Sequence, residues 1–252
     1  MRLFGHELRA EQLLFWRNRE AAFFTFFLPI IFFLIFGSIY GNDRIAKEHN
    51  IRAAPFLQAG MIGYGVASTA FAGLAITMVV RRESGVLKRI RSTPLPPSTY
   101  LLAVLASTFV VFLIETALIV AIGRAFFHVG IPDRIGSLFV ALVLGAVCFA
   151  AMGLGLTSAV RSAEGASAVV NFVYLPMAII SGTFFTPKEY PGFLRAIADV
   201  LPLTYFTKLT RDVMVRQHHI WSETGSIGVV LLWGAIGLIA AIRGFRWQPR
   251  ET

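Results

Sequence analysis

Charge is scarce in this chain. Of its 252 residues only 15% are Asp, Glu, Lys or Arg, against about a quarter in an ordinary soluble domain, while 56% are hydrophobic. With a mean hydropathy of +0.69, that composition places the chain in the membrane class. Cysteine is almost absent too: a single Cys148, inside an apolar run, excludes a disulfide framework and a thiolate metal site. No G-x-x-x-x-G-K-[ST] phosphate loop, H-E-x-x-H zinc motif or G-x-S-x-G nucleophile elbow occurs, and the five histidines are scattered. ATP binding by a phosphate loop, zinc peptidase chemistry and serine hydrolysis therefore lack their residues. No extramembrane stretch has the length of a soluble catalytic domain, and no cofactor is expected. The net charge of +9 sits at the edges of apolar runs and forms no stripe, so nucleic acid is not an expected partner.

What the chain does have is six long apolar runs: 21–42, 53–80, 100–123, 135–160, 165–187 and 224–242. Each is near the ~20 residues that cross a ~30 Å hydrocarbon core, and backbone groups in hydrocarbon must be satisfied within the segment. The prediction is an all-α membrane protein with six transmembrane helices spread over residues 21–243. Residues 1–20 read as an interfacial helix, with Phe4, Leu8 and Phe15 on one side and Glu7 and Glu11 blurring the pattern. Lys and Arg divide thirteen to ten between the two sides, favouring a cytoplasmic leader, 81–99 loop and 244–252 tail in a bacterial cell membrane. Residues 187–223 then lie outside. Within them Phe193, Ile197, Val200 and Leu201 carry helical spacing, the mark of a short helix on or dipping into the outer leaflet.

Three features call for a role. Glu115 is a lone carboxylate deep in the third run. It must face protein or water, either hydrogen-bonded to Thr108, Thr116 or Asn171 or acting as a proton relay. Asn171 and Tyr174 read as packing polars or pathway residues. The glycines at 60, 63 and 65, and at 153 and 155, suit close helix approach or dimerisation. The third feature is RRESGVLKRIRSTPLPPSTY, residues 81–100, with five cations in eleven residues followed by a proline brake. Its bland reading is arginine snorkelling to headgroups.

Two stretches resemble one family. RRESGVLKRIRSTPLPPSTYLLA is similar to the first cytoplasmic loop of the ABC-2 type transporter permeases, daunorubicin-resistance type included. SGTFFTPKEYPGFLRAIADVLPLTYFTKLTRDVM resembles their signature region, through Ser181, Gly182, Pro187, Pro191, Pro202, Leu203, Tyr205 and Arg211. Tyr190 departs from the usual apolar residue there. The resemblance implies the ABC-2 permease fold and outward transport driven by ATP-Mg on a separate P-loop ATPase, with a second permease and membrane lipids as partners. It implies that Glu83, Gly85, Val86, Leu87, Lys88, Arg89, Ile90 and Arg91 form the ATPase-coupling element, Val86, Leu87 and Ile90 anchoring it and the cations meeting an acidic rim. The many Phe residues and few charges of the spans point to drug-like or antibiotic amphiphiles as substrate. A lipid or lipid-linked-glycan exporter stays open, as does a self-contained proton-coupled carrier built on Glu115.

Overall fold

The computed structural model describes residues 2–48, 50–245 and 247–248, so Arg246 and Arg250 of the predicted tail lie outside the described residues. The leader forms helix α1 (Arg2–Arg17). Asn18 then caps α2 (Arg19–Tyr40), its side chain accepting from the Ala21 amide. A two-residue antiparallel ribbon, Arg44–Ile45 against Ile51–Arg52, turns the chain back. The second span runs from Ala53 to Glu83 as α3 (Ala53–Gly65), a wider π turn (Val66–Gly73) and α4 (Leu74–Glu83). The short helix α5 (Val86–Arg91) precedes the spans α6 (Pro97–Phe127), α7 (Ile135–Leu156) and α8 (Ala163–Ile180). Helices α9 (Gly192–Ala198) and α10 (Pro202–Met214) separate these from the last span, α11 (Thr224–Gly244).

Six helices among the described residues are long and apolar enough to cross a membrane. Span 2 is the most deeply buried of them. Its glycines explain how: a Cβ at Gly60 would sit 2.0 Å from the Thr183 carbonyl oxygen, and one at Gly65 would sit 2.8 Å from a Glu115 oxygen. Gly155 likewise lets α7 meet Gly237 of α11 backbone to backbone. These glycines serve packing inside the chain.

The fifth predicted run overshoots. Helix α8 stops at Ile180 because Gly182 takes a left-handed conformation with φ +79°, which L side chains resist. The larger departure follows. The polar segment 187–223 contains α10, whose Leu203, Phe206, Leu209 and Val213 are fully buried. Thirteen residues rise only about 20 Å, too short to cross. Gly63 stands against Thr207, Arg211 stacks over Phe56 at 3.6 Å, and Arg216 pairs with Glu48 at 3.1 Å. Since α3 starts next to the Glu48 loop and runs inward, α10 runs antiparallel to it, back toward that loop. Helices α9 and α10 follow one another through Asp199–Leu201, together here the hairpin, with Phe193, Ile197 and Val200 exposed on its flank.

Candidate functional site

Chain alternation brings α1, the 84–96 segment, residues 157–162 and the end of α11 to one end of the bundle, here the terminal face. The basic stretch there divides in two. Arg81 is committed inward: its guanidinium grips Glu11 of α1 at 2.7 and 2.8 Å and donates to the Tyr100 hydroxyl at 2.7 Å. This bidentate geometry is the strong form of the ion pair. It also explains the carboxylate that blurred the leader's pattern, since Glu11 is buried. Arg82, 2% exposed, donates to the carbonyls of Thr157 (3.0 Å) and Val160 (2.8 Å) just past the end of α7, and to Glu83 (2.7 Å). A cation there satisfies acceptors that the ending helix leaves orphaned.

Gly85, in the left-handed region at φ +74°, ends α4 and turns the chain into α5. Leu87 is fully buried in the chain's own core, whereas Lys88, Arg89 and Arg91 are exposed. The predicted apolar docking trio therefore divides. Leu87 is spent holding α5 to the bundle, Ile90 is half-buried, and only Val86 faces outward. Ser92 and Thr93 hydroxyls close the helix onto the carbonyls of Arg89 and Ile90, and Pro97 opens α6 at its first turn.

Above this platform lies a cavity of about 520 Å³, walled by α1, α2, the π turn, α4 and α6. Leu14, Phe15, Leu74, Val104 and Val111 give it apolar walls, while Thr25, Ser68, Thr77 and Ser107 set hydroxyls among them. The Glu11–Arg81 pair also lines it. Its volume falls in the ~300–1,000 Å³ range of small-molecule sites, and its chemistry suits an amphiphile.

Glu115 is fully buried, and neither carboxyl oxygen makes a hydrogen bond among the described residues. The expected partners are otherwise placed. The Thr108 hydroxyl returns to Val104 of its own helix, the Thr116 hydroxyl is unpaired, and Asn171 is half-buried on α8. Tyr174 packs its ring 5.8 Å from that of Tyr64.

The signature-region residues converge on the α9–α10 hairpin at the opposite face. Arg211 donates to the Gly182 carbonyl (2.9 Å), the Thr207 hydroxyl to the Ser181 carbonyl (2.7 Å), and the Tyr205 hydroxyl to the Asp199 carbonyl (2.8 Å). Pro187 packs on Gly182, while Pro191 and Pro202 start α9 and α10. Glu48 receives the Thr186 hydroxyl (2.8 Å), Lys188 (3.3 Å) and Arg216 (3.1 Å). Burial works to raise its pKa, but the Thr186 hydrogen bond and the Arg211 and Lys188 charges outweigh it and hold it below the usual carboxylate value. Asp212 lies the other way: burial keeps it above the usual value despite Arg216 at 2.9 Å.

The sequence of residues 2–215 matches the ABC-2 type transporter family. The chain belongs to this family. Its relatives include the "Putative transport permease YvfS" of Bacillus subtilis, 25% identical over 75% of this chain and 76% of that one. The "Inner membrane transport permease YadH" of Escherichia coli is 26% identical over 69% and 68%. The "Daunorubicin resistance ABC transporter permease protein DrrB1" of Streptomyces coeruleorubidus is 25% identical over 84% and 73%. As an ABC-2 permease the chain is a multi-pass membrane protein with a transport role. Sequence reasoning missed the burial of α10 and the inward commitment of Arg81 and Arg82. Leu203, Phe206, Leu209 and Val213, spaced by three or four, were the signal for the first; nothing local distinguishes the second.

Proposed function

We propose that this permease is the membrane subunit of an ATP-driven exporter of amphiphilic, drug-like molecules. Its terminal face lies in the cytoplasm, where a separate P-loop ATPase docks on α5, and two permease copies make the channel. The observation that carries the reading is α5 itself: a short helix fixed by buried Leu87, with Lys88, Arg89 and Arg91 exposed together. A fixed cationic constellation fits an acidic groove on a partner and orients its approach. The 520 Å³ cavity supports the substrate class, and the drug-resistance permease among the relatives agrees with it.

The test is co-purification of a co-expressed ATPase with the Lys88→Glu/Arg89→Glu/Arg91→Glu variant. Loss of the ATPase from a permease that still folds is expected. Undiminished co-purification, with normal substrate-stimulated ATP hydrolysis, would sink the docking role. Leu87→Asp is a poor substitute, because it injures the permease's own core. One observation favours a second reading: the unpartnered Glu115 carboxyl suits a proton-coupled carrier, which would transport in proteoliposomes with a proton gradient and no ATPase.

A further inference from the structure

A second cavity, of about 240 Å³, lies at the opposite face, between α9, α10, the 181–188 segment and the Glu48 loop. Its wall holds five cationic residues, Lys188, Arg195, Lys208, Arg211 and Arg216, against three carboxylates, Glu48, Asp199 and Asp212. Arg211 is 5% exposed, and its Nε has no hydrogen-bond partner among the described residues. The same holds for Ser181 Oγ, Thr204 Oγ1 and Arg216 Nε, all on residues that line this cavity. Buried polar groups in native structures are nearly always satisfied. With the two Asp212 oxygens, which also lack a hydrogen bond among the described residues, these groups border an unfilled polar space in which the Arg211 and Arg216 Nε donors lack an acceptor. The charge balance agrees. Glu48 is already engaged by Lys188 and Arg216, and Asp212 by Arg216. Arg211 and Arg195 have no carboxylate within 4 Å among the described residues, and Lys208 reaches only Glu223, at 4.0 Å. Burial brings the Arg211 pKa down to about 10, which leaves the guanidinium charged at neutral pH.

We propose that this cavity binds a phosphate-class oxyanion, as the phosphate of a lipid headgroup or of a phosphorylated solute. A guanidinium offers donors only, so it rejects cations and calls for an anion. Donors approaching from Ser181 and Thr204 as well as from two arginines suit a group bearing oxygens in several directions better than a planar carboxylate. Cations at the exposed rim, Arg195 and Lys208, add attraction during entry. The site is independent of the proposed ATPase contact, which lies at the other end of the bundle.

The experiment uses the whole chain, purified in a nonionic detergent without the ATPase. Sodium phosphate is titrated calorimetrically against sodium chloride of equal ionic strength. Bound lipid phosphorus is also counted after reconstitution with phosphatidylglycerol or phosphatidylcholine. A soluble source predicts saturable phosphate binding, weakened about tenfold or more in Arg195→Gln/Lys208→Gln, since each lost charge-assisted contact matters. Arg211→Gln should abolish it, and the rim variant covers the case in which that buried change fails to fold. A lipid source predicts no competition by free phosphate but about one retained phosphatidylglycerol per chain, lost in the rim variant and not replaced by phosphatidylcholine. Either pattern supports the site. Absence of both in the wild type, or binding unchanged in the folded rim variant, overturns it.

Discussion

Replacing Arg82 tests whether the basic stretch is partly internal scaffolding. Its side chain, 2% exposed, bridges two carbonyls beyond the end of α7 and one carboxylate. Hydrogen bonds involving a charged group contribute ~1.5–3 kcal/mol each. Truncation to alanine removes all three bonds and leaves the Thr157 and Val160 carbonyls buried without donors. The expected loss is about 3–5 kcal/mol, the size found when a buried charged contact is broken. At ~2–4 °C per kcal/mol for a protein of this size, the thermal midpoint in detergent falls by at least about 6 °C. If the corner opens without global unfolding, amide exchange across residues 157–162 accelerates by about 100-fold or more, since each 1.4 kcal/mol is tenfold. Arg82→Lys keeps the charge but cannot straddle two carbonyls as a planar fork does, so it recovers only part of the loss. An alanine variant with an unchanged midpoint and unchanged exchange at 157–162 would refute the assignment.

At the opposite face, Glu48→Gln should destabilise the hairpin by about 1–3 kcal/mol at pH 7, because three donors lose their carboxylate. Its lowered pKa means this stabilisation is present above the ordinary value of 4.5 and fades as pH falls below it, toward the folded value. Asp212 has the opposite sign: its raised pKa makes ionisation costly, so Asp212→Asn should lower the midpoint less than Glu48→Gln does; melts from pH 3.5 to 7 that reverse this order contradict the pairing. Glu115→Gln should leave the midpoint unchanged or higher and preserve ATP-driven transport, as neither oxygen has a partner to lose. Loss of transport from a normally assembled Glu115→Gln complex would instead assign the carboxyl a protonic role.

The spans were legible because hydrocarbon imposes one rule, an apolar helix about 20 residues long, and the described helices follow the predicted runs closely. Helix α10 escaped because its composition is polar while its environment is not. Thr207 and Thr210 return their hydroxyls to backbone carbonyls, and Arg211 stacks on Phe56, so charged and hydroxylated letters conceal a buried helix. The Ser181–Arg211 stretch was recognisable as a family signature, but why its residues go together was not. The answer is the contact between Arg211 and the Gly182 carbonyl, 29 positions away. Glu11 and Arg81 lie 70 positions apart, and no local pattern joins them. The π turn at Val66–Gly73 likewise has no sequence sign beyond its flanking glycines.

Headgroup snorkelling and partner docking make different demands on a basic segment. A snorkelling arginine needs only a flexible stem long enough to reach water. It gains nothing from being held in a fixed place, and fixing it costs side-chain and backbone entropy. Here the cost has been met several times over. Leu87 is sunk in the core, and Gly85 and the Ser92 and Thr93 hydroxyls fix both ends of α5. Arg82 ties the preceding helix to the end of α7. Such preorganisation strengthens binding to a shaped partner, because ordering is complete before association. Two of the five cations build the mount, and the other three are presented on it. That division is what an acidic groove in a second protein would require and what a lipid surface would not.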